Sequence, residues 1–225
     1  SDFQPANQEQ DPRNLFLSRQ NRFRMEAESI RDIFLASSGL LTRKIGGPSV
    51  YPPQPEGIYV LTQNKKQWPE ETGENRYRRG LYTYFWRSSP YPMLPTFDAP
   101  NSNTTCTRRV RSNTPLQALT LANDHSLFEL IQGFAVRILE EGPDYDEGRL
   151  RHAFQICLSR TPDDQELDVL SRYLAEQRAH FKKSPQAAAQ VAAKKLPEKI
   201  EVVEAASWTA VARVLMNLDE FITRE

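Results

Sequence analysis

Apolar residues recur at helical spacing near both ends of the chain and lose that rhythm in between. From Asn14 to Gly39 the positions Leu15, Phe16, Phe23, Ala27, Ile30, Ile33 and Phe34 predict one or two helices, with Gly39 placed to end the second. From Thr114 onward the pattern is helical again. Thr114, Pro115 and Gln117 read as an N-cap, a first-turn proline and the reciprocal partner of a capping box, with Leu116 and Leu119 opening the apolar face. The stripe continues through Phe128, Ile131, Phe134, Ala135 and Ile138, and Asn123 with Asp124 predict a kink or a break into two helices. Asp146 opens a further helix carrying Leu150, Ala153, Phe154, Cys157 and Leu158 on one face. Thr161 and Pro162, followed by Asp163, Asp164 and Glu166, predict the start of the next, with Leu167, Leu170, Leu174 and Phe181 as its buried stripe. An Ala-rich run after Pro185 is expected to reach Leu196, and a last helix is expected over Ala205 to Ile222.

The middle of the chain reads differently. Nine of the sixteen prolines fall between Gly46 and Pro100, a density that forbids long regular elements. Within it LYTYFW, residues 81–86, predicts a short strand. The expected architecture is mainly α. Residues 1–13 form a flexible tail and 14–225 a single domain, with helices in 14–45, a Pro/Arg/aromatic-rich irregular region over 46–113 and a helical bundle over 114–225. At most one short strand or hairpin accompanies it.

Charge narrows the function classes. Twenty-nine basic residues balance twenty-nine acidic ones, so no overall field draws the chain to nucleic acid or to an anionic membrane. The balance conceals sixteen Lys/Arg against eleven Asp/Glu in residues 1–113 and the reverse excess beyond, a weak incentive for the halves to dock. No apolar run reaches the roughly 20 residues of a membrane span. The polar N-terminus lacks the apolar core of a signal peptide and reads as a cut from something longer.

Recognisable chemistry is sparse. His125, His152 and His180 are far apart, no spacing matches a zinc site, and phosphate-loop, nucleophile-elbow and c-type haem motifs are missing. Cys157 on an apolar stripe reads as a buried thiol. Cys106 stands among threonines with Arg108 and Arg109 close behind, where cations favour thiolate, although no base stands beside it in sequence. Six arginines, Arg78, Arg79, Arg87, Arg108, Arg109 and Arg111, lie near Asp98, Asn113 and Asn123. Guanidinium forks recognise carboxylate, phosphate or sulfate. The plainer alternative is that Asp98 and backbone carbonyls absorb them as loop braces, since a segment with few ladder hydrogen bonds must be satisfied by side chains. The aromatics Tyr82, Tyr84, Phe85, Trp86, Tyr91 and Phe97 pose the same choice between a sugar-stacking platform and a local core.

The segments RMEAESIRDIFLASSGLL, GGPSVYPPQP, RRGLYTYFWRSSPYPMLPTFDAPNSNTTCTRRVRSNTPLQALTLAND, AFQICLSRTPDDQEL and ASWTAVARVLMNLDEFITRE resemble, in order, the signature blocks of the domain of unknown function catalogued as number 1553, abundant in planctomycetes. The resemblance places Arg79, Arg87, Phe97, Asp98, Cys106, Arg109, Asn113, Pro115, Gln117 and Asn123 at signature positions. It implies the C-terminal part of a large exported protein, periplasmic or at the cell surface, whose partners are its own upstream domains. Haem c would sit in one of those domains, and this segment would hold no cofactor. Two expectations for function follow. The first is a structural or interaction module supporting cytochrome-linked use of extracellular polysaccharide. The second is an enzyme or binding site for acidic or sulfated glycans, in which Arg79, Arg87, Asp98, Cys106 and Arg109 converge on a pocket, with Asp98 as acid or base and the arginines holding the anion.

Overall fold

A computed structural model describes residues 9–55, 57–58 and 67–224. Most of the tail expected over residues 1–13 lies outside the described residues. Among those described the protein is mainly α, with one two-residue pair of strands. The strands are β1 (Phe23–Arg24) and β2 (Thr223–Arg224), antiparallel, with Phe23 opposite Arg224. The helices are α1 (Ala27–Ser37), α2 (Met93–Thr96), α3 (Pro115–Asn123), α4 (His125–Glu141), α5 (Asp146–Leu158), α6 (Asp164–Lys183), α7 (Pro185–Val191), α8 (Val202–Met216) and α9 (Asp219–Ile222).

The core forms around α8, which packs most extensively on α4 and then on α6 and α7. Trp208, Val211, Ala212 and Leu215 of α8 meet Leu127, Ile131, Phe134 and Ile138 of α4 in one buried cluster, to which α1 adds Ile30, Phe34 and Leu35. A smaller cluster joins Phe181, Ala188, Ala192, Ala205 and Ala206 beneath α7. Local signals set several ends. Thr114 and Gln117 form the expected capping box. Asp124 closes α3 and caps α4, accepting from the N–H groups of Ser126 and Leu127 at 2.9 and 3.1 Å, so the predicted break is a change of helix.

Elsewhere the structure corrects the pattern. No helix forms over Leu15 to Phe23. Asp11 accepts from the N–H groups of Leu15 and Phe16 at 2.9 and 2.8 Å, Asn14 and Leu17 adopt positive φ, and Leu15, Phe16 and Leu17 stand 74, 84 and 80% exposed. The start of α6 moves from Pro162 to Asp164 because Asp163 and Glu166 build a charged capping box of their own. α7 stops at Val191 rather than Leu196, the carbonyls of Val191 and Ala192 accepting from Gln132. The last predicted helix starts earlier, at Val202, and divides into α8 and α9.

Residues 81–86 form no strand. Gly80–Tyr82 is a 3-10 turn, and only Thr83 makes an isolated parallel bridge, to Val50. The aromatics there pack on one another instead: Tyr51 stacks on Tyr84 at 4.7 Å, and Tyr84 meets Trp86 edge-on at 5.1 Å. Buried Arg78 braces this region by donating to the carbonyls of Lys44, Gly46 and Pro48 while lying 3.7 Å from the Tyr82 ring centre.

The face of α3 is inverted relative to its text. Leu116 and Leu119 are both 60% exposed, whereas Gln117 is 2% exposed and Leu121 is buried. Leu119→Gln should therefore leave stability within about 0.5 kcal/mol. Leu121→Ala should cost about 2–4 kcal/mol. Urea unfolding of both variants checks the inversion.

Candidate functional site

Asp98 organises the densest polar region of the chain. α2 ends at Thr96 with Phe97 as its C-cap, and Asp98 takes a left-handed conformation, φ +60°, which a short polar side chain tolerates better than most. Its carboxylate accepts from the Ser112 N–H at 2.8 Å, the Ser112 hydroxyl at 2.8 Å and the Arg24 guanidinium at 2.5 Å. Arg24, delivered by β1, is 5% exposed and also donates to the carbonyls of Ser112, Met25 and Phe97. Gln117 does more than cap α3. Its amide donates to the Thr96 carbonyl and the Ser112 hydroxyl, each at 3.0 Å, which accounts for its burial. Burial raises the Asp98 pKa, but the Ser112 and Arg24 donors outweigh it and hold the carboxyl below its ordinary range.

None of the other four predicted residues bonds to Asp98. Arg79 donates to Asp32 at 2.7 Å, and Asp32 also accepts from the Gly80 N–H at 2.6 Å. Gly80 fits here because a Cβ would lie 2.7 Å from the Glu28 carbonyl of α1. Arg109 forks onto Glu28 at 2.8 and 3.1 Å and reaches Glu26 at 3.0 Å. Burial raises the Glu28 pKa, yet hydrogen bonding by Arg109 brings it below normal. Arg87 makes an exposed 3.4 Å contact with Asn103. Cys106 is exposed, in an open hollow of about 890 Å³ shared with Arg108, Arg109 and Arg111. The structure thus brings Cys106 and Arg109 to one hollow, and Arg79, Arg87 and Asp98 do not line it.

A second concavity had no signature in the sequence. It holds about 730 Å³ between α4, the turn at Ser38–Leu40 and the segment running from Gln190 to Lys195. At one end Glu129 accepts from Arg76 at 2.8 and 2.6 Å and from the Tyr77 hydroxyl at 2.6 Å. Burial raises the Glu129 pKa, and these donors more than reverse it. Tyr77 is pushed up to about 12 by burial and by the neighbouring Glu129 charge. A carboxylate so fully donated to is a poor proton acceptor, so this end of the cleft is suited to holding shape and charge rather than to base catalysis. Glu129 lies 53 residues from Arg76, and neither local spacing nor periodicity points from one to the other. Arg24 and Ser112 of the Asp98 network were equally silent. Among the described residues no three His, Cys, Asp or Glu side chains gather as a metal site, and no helix is long and apolar enough to cross a membrane.

Comparison with protein families matches residues 1–174 to the profile described as "Protein of unknown function (DUF1553)". The chain belongs to this family. In DUF1553 terms the match takes in the whole Asp98 network, the Arg109 pairs and the Arg76–Glu129 end of the cleft, and it stops within α6. No curated protein and no solved structure matches the chain.

Because Asp98 titrates lower when folded than when unfolded, its stabilisation is complete above the ordinary value of 3.8 and fades as the pH falls through and below it. Asp98→Asn should cost about 3 kcal/mol at pH 7, since Arg24 stays buried without its counter-charge. Urea unfolding of both proteins should show that gap narrowing toward pH 3. The thiols should separate as well. Burial pushes the Cys157 pKa far up, so iodoacetamide followed by mass spectrometry should find Cys106 modified in the native protein and Cys157 only after unfolding.

Proposed function

We propose that this DUF1553 chain is a non-catalytic module that positions neighbouring domains of an exported polypeptide. One observation carries the reading: charged groups of its most polar block pair with β1 and α1. Arg24 with Asp98, Arg79 with Asp32 and Arg109 with Glu28 each join the 79–112 region to β1 or α1. These pairs staple a loop-rich layer onto the bundle, and Arg79, Asp98 and Arg109 are engaged in doing so. The exposed turn at Leu15–Leu17, fixed by Asp11, then provides an apolar contact for an adjoining domain. Haem c, if the polypeptide carries it, belongs to an upstream segment, because Cys106 and Cys157 are 51 residues apart and form no haem-attachment motif. Support of cytochrome-linked polysaccharide use at the cell surface or in the periplasm is the role this assembly would serve.

A second reading is favoured by the hollow beside Cys106. Arg108 makes no ion pair among the described residues, and Arg111 approaches Glu26 only at 3.5 Å, which leaves positive charge for a sulfated or acidic glycan.

The purified chain should release neither sulfate nor new reducing ends from sulfated and uronic-acid glycans. Release above a blank would overturn the first reading. Retention on immobilised chondroitin sulfate that is lost in Arg108→Ala would establish the second without implying turnover. Upstream domains produced separately should bind the chain, and Phe16→Ser should weaken that binding about tenfold in calorimetry, as expected for removing one large apolar contact.

A further inference from the structure

We propose that the cleft between α4, the Ser38–Leu40 turn and the Gln190–Lys195 segment binds a small monocarboxylate with an apolar body. Its volume of about 730 Å³ falls within the range of small-molecule sites, roughly 300–1,000 Å³. Phe128 and Val136 of α4 and Leu40 of the turn give it an apolar floor. Leu40 lies directly over the bare backbone of Gly133, where a Cβ would come within 2.8 Å of its Cδ1. The far wall is fastened by Gln132, whose amide donates to the carbonyls of Val191 and Ala192 at 2.9 and 3.1 Å.

Charge decides the sign of the ligand. Four cationic side chains and three carboxylates line the cleft. Glu129 accepts from Arg76 and Tyr77, and Glu141 accepts from Arg137, whose Nη1 also donates to the carbonyls of Ala36 and Ser37. Arg76 is shared between Glu129 and Glu70, whereas Lys194 and Lys195 make no ion pair among the described residues and Glu140 is the one lining carboxylate left without one, so the uncommitted charge of the lining is positive by one. A cation would find two of the three lining carboxylates, Glu129 and Glu141, already paired with arginines. A carboxylate can meet the lysines at the rim while its apolar part covers Phe128 and Val136. This site is independent of the module reading, since a positioning domain with or without a bound ligand would retain the same stapled block.

Calorimetric titration of the full chain at low salt, with sodium 4-phenylbutyrate and with sodium decanoate below its micelle concentration, tests the proposal and separates a ring from an alkyl chain. Binding of either is expected, at least about tenfold tighter than that of the corresponding primary amide, with no binding of 4-phenylbutylamine. The double variant Lys194→Ala/Lys195→Ala, altered only at the rim, should weaken binding about fivefold. Val136→Trp should abolish it by filling the floor. Far-UV circular dichroism checks that both variants remain folded, and Ala193→Trp replaces Val136→Trp if the latter does not. Failure of both carboxylates to bind, equal binding of the amides, or binding unchanged in the filled and lysine-free variants would overturn the proposal.

Discussion

The buried ion pair between Arg24 and Asp98 is the contact on which the arrangement of the first half of the chain depends. A guanidinium on a two-residue strand can remain out of water only if its nitrogens find acceptors, and here the Asp98 carboxylate and the carbonyls of Ser112, Met25 and Phe97 give each of the three nitrogens at least one. In doing so Arg24 ties the chain entering α1, the turn after α2 and the approach to α3 to one point. Ser112 and Gln117 complete the network, the first as donor to Asp98 and acceptor from Gln117, the second with its amide inside and its backbone in the helix. A fully satisfied polar network of this kind rigidifies, whereas the same groups half-satisfied would destabilise.

The same logic extends outward. Among the described residues between Gly46 and Ser112 the ladder pairing is limited to isolated bridges, Thr42–Arg78 and Val50–Thr83. Side chains substitute for the missing ladder: Arg78 on three carbonyls, Arg79 on Asp32, Arg109 on Glu26 and Glu28. The block that is richest in arginine is therefore also the one most in need of bracing, and its composition reflects that need at least as directly as any ligand. Among its described residues Arg87 and Arg108 make no ion pair, Arg108 at the rim around Cys106.

The cleft along α4 is built on an opposite principle. Its polar end is closed by the mutual satisfaction of Glu129, Arg76 and Tyr77, and its open part is apolar with lysines beyond. With these donors in place Glu129 is a poor proton acceptor. That is consistent with a chain whose histidines are scattered and whose buried thiol, Cys157, is held protonated by its surroundings.

Sequence alone determined the elements whose signals are local. The capping box at Thr114–Gln117, the break at Asp124 and the apolar stripes of α4, α5 and α6 were legible because the interactions that fix them span three or four residues. The family was legible for a related reason, as the order of its signature segments is itself a linear property. Where two local signals competed, as Thr161–Pro162 did with Asp163–Glu166, or where periodicity had no core to face, as at Leu15–Leu17, the text misled. Tertiary structure alone decided which face of α3 is buried, because the partners of Gln117 lie on Thr96 and Ser112. It also decided that Arg24 meets Asp98 across 74 residues and Arg76 meets Glu129 across 53. Such pairings depend on where the packed helices bring distant segments, and no spacing in the chain encodes that distance.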